Sequence, residues 1–156
     1  MSEPIKRQPL DRRNSGQARM AALIQSRSQT LSLYADLAAH RPFNKTPQLV
    51  SELHRFCQAL IDYTASAHFQ LYHKLAESNE QRSPVIEAAR DLYPAIAQST
   101  DVILAFNDDF GEDRDQDYGT LEQRLSDLGE VLATRIEHED QMMTALRHDR
   151  RALQAS

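Results

Sequence analysis

The sequence predicts an all-α fold, an up-down bundle of four long helices whose third helix is broken at a proline. Apolar residues recur every three to four positions through four long runs, the spacing of a helix face packed on a core. Short polar connectors carrying cap residues and prolines separate these runs. The sequence contains no βαβ alternation and no glycine-rich phosphate loop, so antiparallel helices joined by short loops are expected.

The first half of the chain predicts an arm and two helices. Residues 1–18 are polar and basic and are interrupted by Pro4, Pro9 and Gly16, so we expect a mobile basic arm. The first helix is predicted for 19–40. Thr46 followed by Pro47 is a cap with a first-turn proline, which predicts a second helix over 47–77.

The second half repeats these signals. Ser83 and Pro84 predict a third helix over 84–110, and Pro94 inside it should kink it or split it. Thr120 and Gln123 form a capping-box pair that opens a fourth helix over 120–150. We therefore expect one helical-bundle domain over 19–150 and a C-terminal tail over 151–156.

The second helix carries more polar and aromatic groups than a purely structural helix requires. These groups are His54, Asp62, Tyr63, His68, Tyr72 and His73. Leu or Ala would cost less at buried positions, so the helix is predicted to recognise a partner or to join an internal polar network. On the fourth helix, Arg135 and Glu139 lie one turn apart beside the apolar stripe. We expect them partly buried and hydrogen-bonded to the second helix, at Asp62, His68 or Tyr72; an ordinary exposed pair is the alternative.

Charge and composition narrow the class of partner. Residues 20–146 carry 20 of the chain's 23 acidic residues and 10 of its 18 basic ones, so this body stands near −10. Such a surface repels nucleic-acid phosphates and favours a basic partner. The chain has neither a run of apolar residues long enough for a membrane span nor the apolar core of a signal peptide, and its one cysteine, Cys57, sits in a helical pattern. A cytoplasmic protein that binds neither membranes nor nucleic acid directly is expected.

Two patterns in the sequence resemble metal sites, and neither is complete. Asp113, Asp115 and Asp117 alternate like calcium ligands, but the glycine comes one position late and Arg124 stands where a bidentate Glu belongs. A faint internal repeat is similar to the di-iron bundle of hemerythrin, yet only His73 and Glu77 supply a ligand-like pair. We predict no metal and no cofactor, with a hemerythrin-like metal or oxygen-binding bundle as the alternative. The sequence has neither a glycine-rich phosphate loop nor a complete set of metal ligands, so no enzyme is predicted.

Two segments carry a family resemblance. Residues 56–72 fit the pattern F-C-Q-x-L-x-D-Y-x-x-x-x-H-F-x-x-Y. The second segment matches at Leu125, Ser126, Asp127, Gly129, Glu130, Leu132, Arg135, Glu139 and Asp140. With weaker similarity across 27–147, the chain resembles the Rsd/AlgQ family, bacterial regulators of sigma D that act as anti-sigma factors.

The resemblance implies a cytoplasmic helical regulator that binds and sequesters the primary sigma factor of RNA polymerase, chiefly through its C-terminal promoter-reading domain. This binding would favour alternative sigma factors in slow growth or stationary phase, and other cytoplasmic regulatory proteins are possible further partners. The predicted partner-binding residues are Asp62, Ser66, Phe69, Tyr72, Asp127 and Glu130. The predicted buried polar network consists of His68, Arg135 and Glu139.

Overall fold

Four long helices pack side by side in a computed structural model of the protein. They are α1 (Pro9–Ala38), α2 (Pro47–Glu77), α3 (Pro84–Phe110) and α4 (Leu121–Ala155), with a short 3-10 helix, Tyr118–Thr120, before α4. The structure describes the backbone of residues 9–77, 84–111 and 118–155 and the side chains of 18–71, 73, 75, 84–111 and 118–147. Within these ranges every regular element is helical, so the predicted all-α fold of four principal helices is confirmed.

The helices follow one another around the bundle. The pairs α1 with α2 and α3 with α4 make the largest contacts, and α2 also packs against α3. Arg27 and Tyr34 of α1 reach across to α4, where they meet Asp140 and the backbone of Leu125. The helices α2 and α4 also make a smaller direct contact with each other.

The bounds of α2 and α3 agree with the predicted helices 47–77 and 84–110. The Thr46 hydroxyl oxygen accepts a hydrogen bond from the backbone N–H of Leu49 at 3.1 Å, as an N-terminal cap should. Pro94 does not divide α3, which runs as one helix through it. Buried residues on both sides of the proline, including Ala89 and Ile96, hold the two parts in the core and offset the lost backbone hydrogen bond.

The first and last helices of the chain, α1 and α4, are longer than predicted. Helix α1 begins at Pro9 and not at residue 19, so positions 9–18 of the expected arm are helical. Proline is favoured in a first turn, and Asp11 carries the charge that suits a helix N-terminus. Helix α4 continues to Ala155, through most of the expected tail, because Arg, Ala, Leu and Gln are good helix formers. Residues 1–8 lie outside the described part of the chain.

The core consists of two clusters, one toward each end of the bundle. We call the first the aromatic cluster; its buried members are Leu37, Leu49, Leu53, Phe56, Cys57, Leu60, Ile103, Phe106, Phe110, Leu121, Leu125, Leu128 and Leu132. We call the second the methionine cluster; its buried members are Met20, Leu23, Ala67, Leu71, Leu75, Ile86, Ala89, Ile96, Met142, Met143 and Leu146. Apolar residues are thus concentrated on inner faces, and no described helix has an apolar stretch sufficient to cross a membrane.

Helix α1 buries Thr30 and leaves the neighbouring Leu31 exposed. Thr30 is 2% exposed, whereas Leu31 is 39% exposed. The Thr30 hydroxyl lies 2.9 Å from the carbonyl oxygen of Ser26 and 3.2 Å from that of Ala59 on α2. This contact satisfies the buried hydroxyl and sets the rotation of α1 against α2.

Candidate functional site

Two opposite charges are buried in the middle of the bundle. Arg135 and Glu139 of α4 are 1% and 0% exposed, and Nε of Arg135 donates to Oε2 of Glu139 at 3.1 Å. They lie one turn apart on the face of α4 that also buries Leu128, Leu132 and Met142. Buried charges are tolerated when they are paired and hydrogen-bonded, so the surrounding groups decide whether this pair is stable.

Helices α1 and α2 supply partners for Glu139. The Tyr63 hydroxyl of α2 donates to Oε1 of Glu139, and Nη1 of Arg27 on α1 lies 3.6 Å from the same oxygen. Arg27 also donates to Oδ1 of Asp140 at 2.8 Å. Burial, followed by the adjacent Glu139 charge, raises the pKa of Tyr63, so its hydroxyl remains a donor at neutral pH.

Helix α3 supplies partners for Arg135. Nη1 of Arg135 lies 3.2 Å from the carbonyl oxygen of Ile96, 2.9 Å from Oγ of Ser99 and 2.8 Å from Oγ1 of Thr100. Its Nη2 is buried and has no hydrogen-bond partner among the described residues. We call Arg27, Tyr63, Ser99, Thr100, Arg135 and Glu139 the ion network. Since it takes side chains from α1, α2, α3 and α4, it connects all four helices.

The partner on α2 differs from the residues that the sequence suggested. Tyr63 makes the contact, while Asp62 and His68 are exposed. His68 therefore does not belong to the buried polar network as predicted; its Nδ1 lies 2.8 Å from the hydroxyl of Tyr93 on α3. His68 lies five positions after Tyr63, so its side chain is rotated by about 140° around the helix from that of Tyr63. This rotation turns His68 away from the core. The signal for Tyr63 was its place on the apolar stripe of α2.

The outward side of α2 presents a different set of groups. Asp62 is exposed, and its Oδ1 accepts a hydrogen bond from the Gln58 amide at 3.0 Å. Phe69 is 60% exposed and stacks on His73, with ring centroids 5.6 Å apart and planes 6° from parallel. Ser66 is half-buried. We call Asp62, Ser66, Phe69 and His73 the α2 outer face; the Tyr72 side chain lies outside the described residues.

The two predicted partner-binding residues of α4, Asp127 and Glu130, do not belong to the α2 outer face. Asp127 and Glu130 are exposed, and Asp127 accepts a hydrogen bond from the Gln123 amide at 2.9 Å. Asp127 also lines a groove between α3 and α4 together with Val102 and Arg124. Asp127 thus lies at a groove formed by α3 and α4, whereas Asp62 lies on α2 beside Gln58.

The side chains that the structure describes include no group of three or more His, Cys, Asp or Glu residues placed to hold a metal ion. His73, the ligand-like histidine, stacks on Phe69. The possible calcium ligands at 113, 115 and 117 and the side chain of Glu77 lie outside the described part. The chemistry of the described site is thus hydrogen bonding and charge, with an aromatic surface beside it.

Together, the fold and these groups define a class: a four-helix bundle with a charged interior and one outward helix face that carries both an acidic and an aromatic group. More particularly, the chain belongs to the family described as Regulator of RNA polymerase sigma(70) subunit, Rsd/AlgQ, whose model matches residues 6–147. The resemblance found in residues 56–72 and 125–140 is therefore confirmed.

Proteins named Regulator of sigma D are similar to this chain over most of their length. The one from Enterobacter sp. (strain 638) is 36% identical over 121 residues, covering 75% of this chain and 73% of the relative. Those from Yersinia enterocolitica serotype O:8 and Yersinia pestis are each 32% identical over 125 residues, covering 77% of this chain and 75% and 74% of the relatives. No solved structure matches the chain significantly.

Proposed function

We propose that this protein binds the primary sigma factor of bacterial RNA polymerase in the cytoplasm and sequesters it, chiefly through the sigma C-terminal domain. The single observation that carries the proposal is membership of the sigma(70)-regulator family across residues 6–147. Occupying that domain would block both its contact with the promoter −35 element and its attachment to core polymerase. The role is regulatory and not catalytic, and it requires no direct contact with nucleic acid.

The α2 outer face is the proposed contact surface. Phe69 is 60% exposed, so its ring is a surface group and not a core side chain. Aromatic side chains supply much of the binding energy at protein interfaces, and the parallel His73 ring extends the flat area that a partner can cover. The family pattern is also densest on this helix, and Tyr72 is a further proposed member of the surface.

Charge supports the same assignment. A sigma C-terminal domain reads DNA with a helix-turn-helix, so it must present basic groups to the phosphates. The exposed Asp62 carboxylate holds only a neutral amide at Oδ1, which an Arg or Lys of the partner can replace with a stronger, charge-assisted bond. The body of the chain, near −10, attracts the same basic surface from a distance.

Asp127 and Glu130 have a different role in this proposal. They are exposed on α4, and Asp127 lies at the groove between α3 and α4 and not on α2. We assign to them long-range attraction, which affects the association rate and is screened by salt. Asp62 and Phe69 are instead assigned direct contact.

Calorimetric titration with the purified primary sigma C-terminal domain tests these assignments. Asp62→Ala and Phe69→Ala should each weaken binding at least tenfold, about 1.4 kcal/mol. Asp91→Ala is the matched control, because it removes an equally exposed aspartate from α3. Asp127→Ala and Glu130→Ala should weaken binding less than about threefold and lose their effect in high salt. Helical content and melting temperature are measured first for every variant.

Each outcome bears on a different part of the proposal. If the wild-type chain binds no sigma factor, the proposed function is wrong. If it binds but Asp62→Ala and Phe69→Ala behave like Asp91→Ala, only the position of the contact surface is wrong. Co-purification from cell extract at moderate salt identifies whether other cytoplasmic regulatory proteins bind as well.

A further inference from the structure

The exposed side of α1 lacks charged residues over most of its length. From position 20 to position 35 the sequence has a single charged residue, Arg27, although 26% of the chain is charged. The Arg27 side chain is only 13% exposed and reaches Glu139 and Asp140 of α4. The solvated face of a helix normally carries charges, whereas depletion of charge is typical of the centre of a protein interface. This side of α1 thus has the composition of a covered surface.

A continuous stripe runs along this uncharged side. Its two large members, Ile24 and Leu31, are each 39% exposed. The steps between its residues alternate between three and four positions, which is the seam spacing of a helix that packs lengthwise on another helix. We call this stripe the α1 outer face; its members, all exposed, are Ala21, Ile24, Ser28, Leu31 and Ala35. The bundle itself uses a different seam of α1, which buries Met20, Leu23, Thr30 and Leu37.

The α1 outer face lies on the side of α1 away from α2. Thr30 contacts α2, whereas Arg27 and Tyr34 reach α4. At about 100° per residue, Arg27 lies about 60° around the helix from Thr30. Leu31 and Ile24 lie further in the same direction, about 100° and 120° from Thr30. The stripe therefore begins beyond the residues that contact α4, and it does not adjoin the proposed sigma contact on α2.

The charges of the chain indicate which partner fits this stripe. A basic partner is attracted by carboxylates, and the α1 outer face carries none. Two copies of this chain, each with a body near −10, repel one another where acidic surfaces meet, so an uncharged stripe is the favourable place for their contact. Arg19 is exposed near one end of the stripe and Asp36 near the other. Antiparallel copies bring the basic end of each stripe to the acidic end of the other.

We propose that the α1 outer face binds a second copy of this chain, with the two α1 helices antiparallel about a two-fold axis. An axis midway between positions 24 and 28 places Ile24 of each copy level with Ser28 of the other. The same axis places Leu31 level with Ala21. Each large side chain then faces a small one, an alternation that lets facing helices interdigitate. The stripe spans only about two heptads, so the dimer should be weak and reversible, with a Kd on the order of 10–100 µM.

Sedimentation equilibrium of the full chain, from about 5 to about 500 µM, tests the proposal. Leu31→Glu should weaken the dimer at least tenfold, because it places a carboxylate of each copy against an apolar surface. Leu104→Glu is the matched control and should leave the Kd unchanged, since Leu104 is a leucine of α3 with a similar exposure of 45%. Helical content and melting temperature are measured first for both variants. Raising the salt from about 0.1 to about 0.5 M should not weaken the wild-type dimer, because the contact is uncharged.

Disulfide trapping tests the direction of the two helices. An equimolar mixture of Ile24→Cys and Ser28→Cys chains is oxidised at high concentration; the native Cys57 is buried and does not compete. The antiparallel arrangement predicts more of the mixed disulfide than of either self-disulfide. Only the mixed pair lies level, whereas identical positions are offset by four residues, about 6 Å along the helices.

Several results would overturn the proposal. They are a wild-type chain that stays monomeric at the highest concentration, a Leu31→Glu dimer as tight as the wild type, equal weakening by Leu104→Glu, a dimer that dissociates in high salt, and a preference for self-disulfides. If the wild-type chain is monomeric and Leu31→Glu weakens binding of the sigma C-terminal domain, the α1 outer face belongs to the sigma contact instead. Failure of sigma binding by the wild type leaves the dimer measurements unaffected, so the two proposals are tested separately.

Discussion

The two ends of the bundle are built by the same four helices but from different side chains. In the aromatic cluster, Phe106 packs edge-on against Phe56 with centroids 6.1 Å apart and lies 4.9 Å from Phe110. Among the described side chains, the buried members of the methionine cluster include no aromatic residue; they include alanines such as Ala67 and the flexible Met142. Rigid rings fill the first end densely, whereas small and flexible side chains leave adjustable space at the second.

Two residues of the proposed contact surface lie beside the methionine cluster. Phe69 and His73 belong to the part of α2 whose inner face joins the methionine cluster, through Ala67, Leu71 and Leu75. The aromatic part of the proposed contact surface thus lies at the end with the smaller and more flexible core side chains. The ion network stands between the two ends and belongs to neither cluster, so each region can be tested separately.

The largest effect is expected from truncating the aromatic cluster. Phe106→Ala should lower the free energy of unfolding by about 4 kcal/mol, because the ring is 1% exposed and its aromatic neighbours cannot collapse into the space. Met142→Ala should cost less, about 2 kcal/mol, because flexible neighbours can relax. Urea unfolding measures both, and equal costs would remove the contrast between the ends.

Breaking the ion network should have the next largest effect. Arg135→Ala and Glu139→Ala should each cost about 3 kcal/mol, since either change leaves the other charge buried without its partner. Glu137→Ala is the control on the exposed side of α4 and should change stability by less than about 0.5 kcal/mol. Should all three variants unfold at the wild-type urea concentration, the buried pair would have no energetic importance.

Gly129 gives a smaller, local test at the aromatic end. A Cβ there would lie 2.9 Å from Cζ of Tyr34 and closer still to the Tyr34 hydroxyl, which donates to the carbonyl oxygen of Leu125. Gly129→Ala should therefore cost about 2 kcal/mol by displacing the ring. In a Tyr34→Leu background the same change should cost much less, and an unchanged cost would show that the clash is not the cause.

The smallest effect is a pH dependence set by Cys57. Burial raises the pKa of its thiol to about 12, from an ordinary value near 9.0. The thiol of the unfolded chain therefore ionises first, so its contribution to stability is complete below pH 9 and is lost as the pH rises toward 12. We expect about 1 kcal/mol less stability at pH 10 than at pH 9 from this group. Cys57→Ala should flatten the change in the urea midpoint over that interval, and an identical slope would contradict the assignment.

Cap residues, first-turn prolines and the spacing of apolar residues predicted much of the fold. The contacts between helices could not be predicted from these local patterns. Thr46 and Pro47 fixed the start of α2 because a cap and a first-turn proline act within a few residues. The predicted start of α1 is ten residues too late, because a proline can interrupt a helix but also suits its first turn, where Pro9 lies.

The site was predicted only in part, for a geometric reason. Arg135 and Glu139 were recognisable by their place beside the apolar stripe of α4. Their partner on α2 depends on how the helices are rotated, and this rotation selects Tyr63 and turns His68 outward. The separation of Asp62 from Asp127 likewise depends on the order of the helices around the bundle.

The contacts of the ion network with every helix have a consequence for how the chain unfolds. Arg27, Tyr63, Ser99 and Thr100 reach the Arg135–Glu139 pair from three different helices. Detaching any one of these helices opens the pair to water or removes one of its hydrogen bonds, so no three-helix arrangement satisfies both charges. The network therefore couples the aromatic and methionine ends into one cooperative unit, and the whole bundle should lose its structure in a single transition.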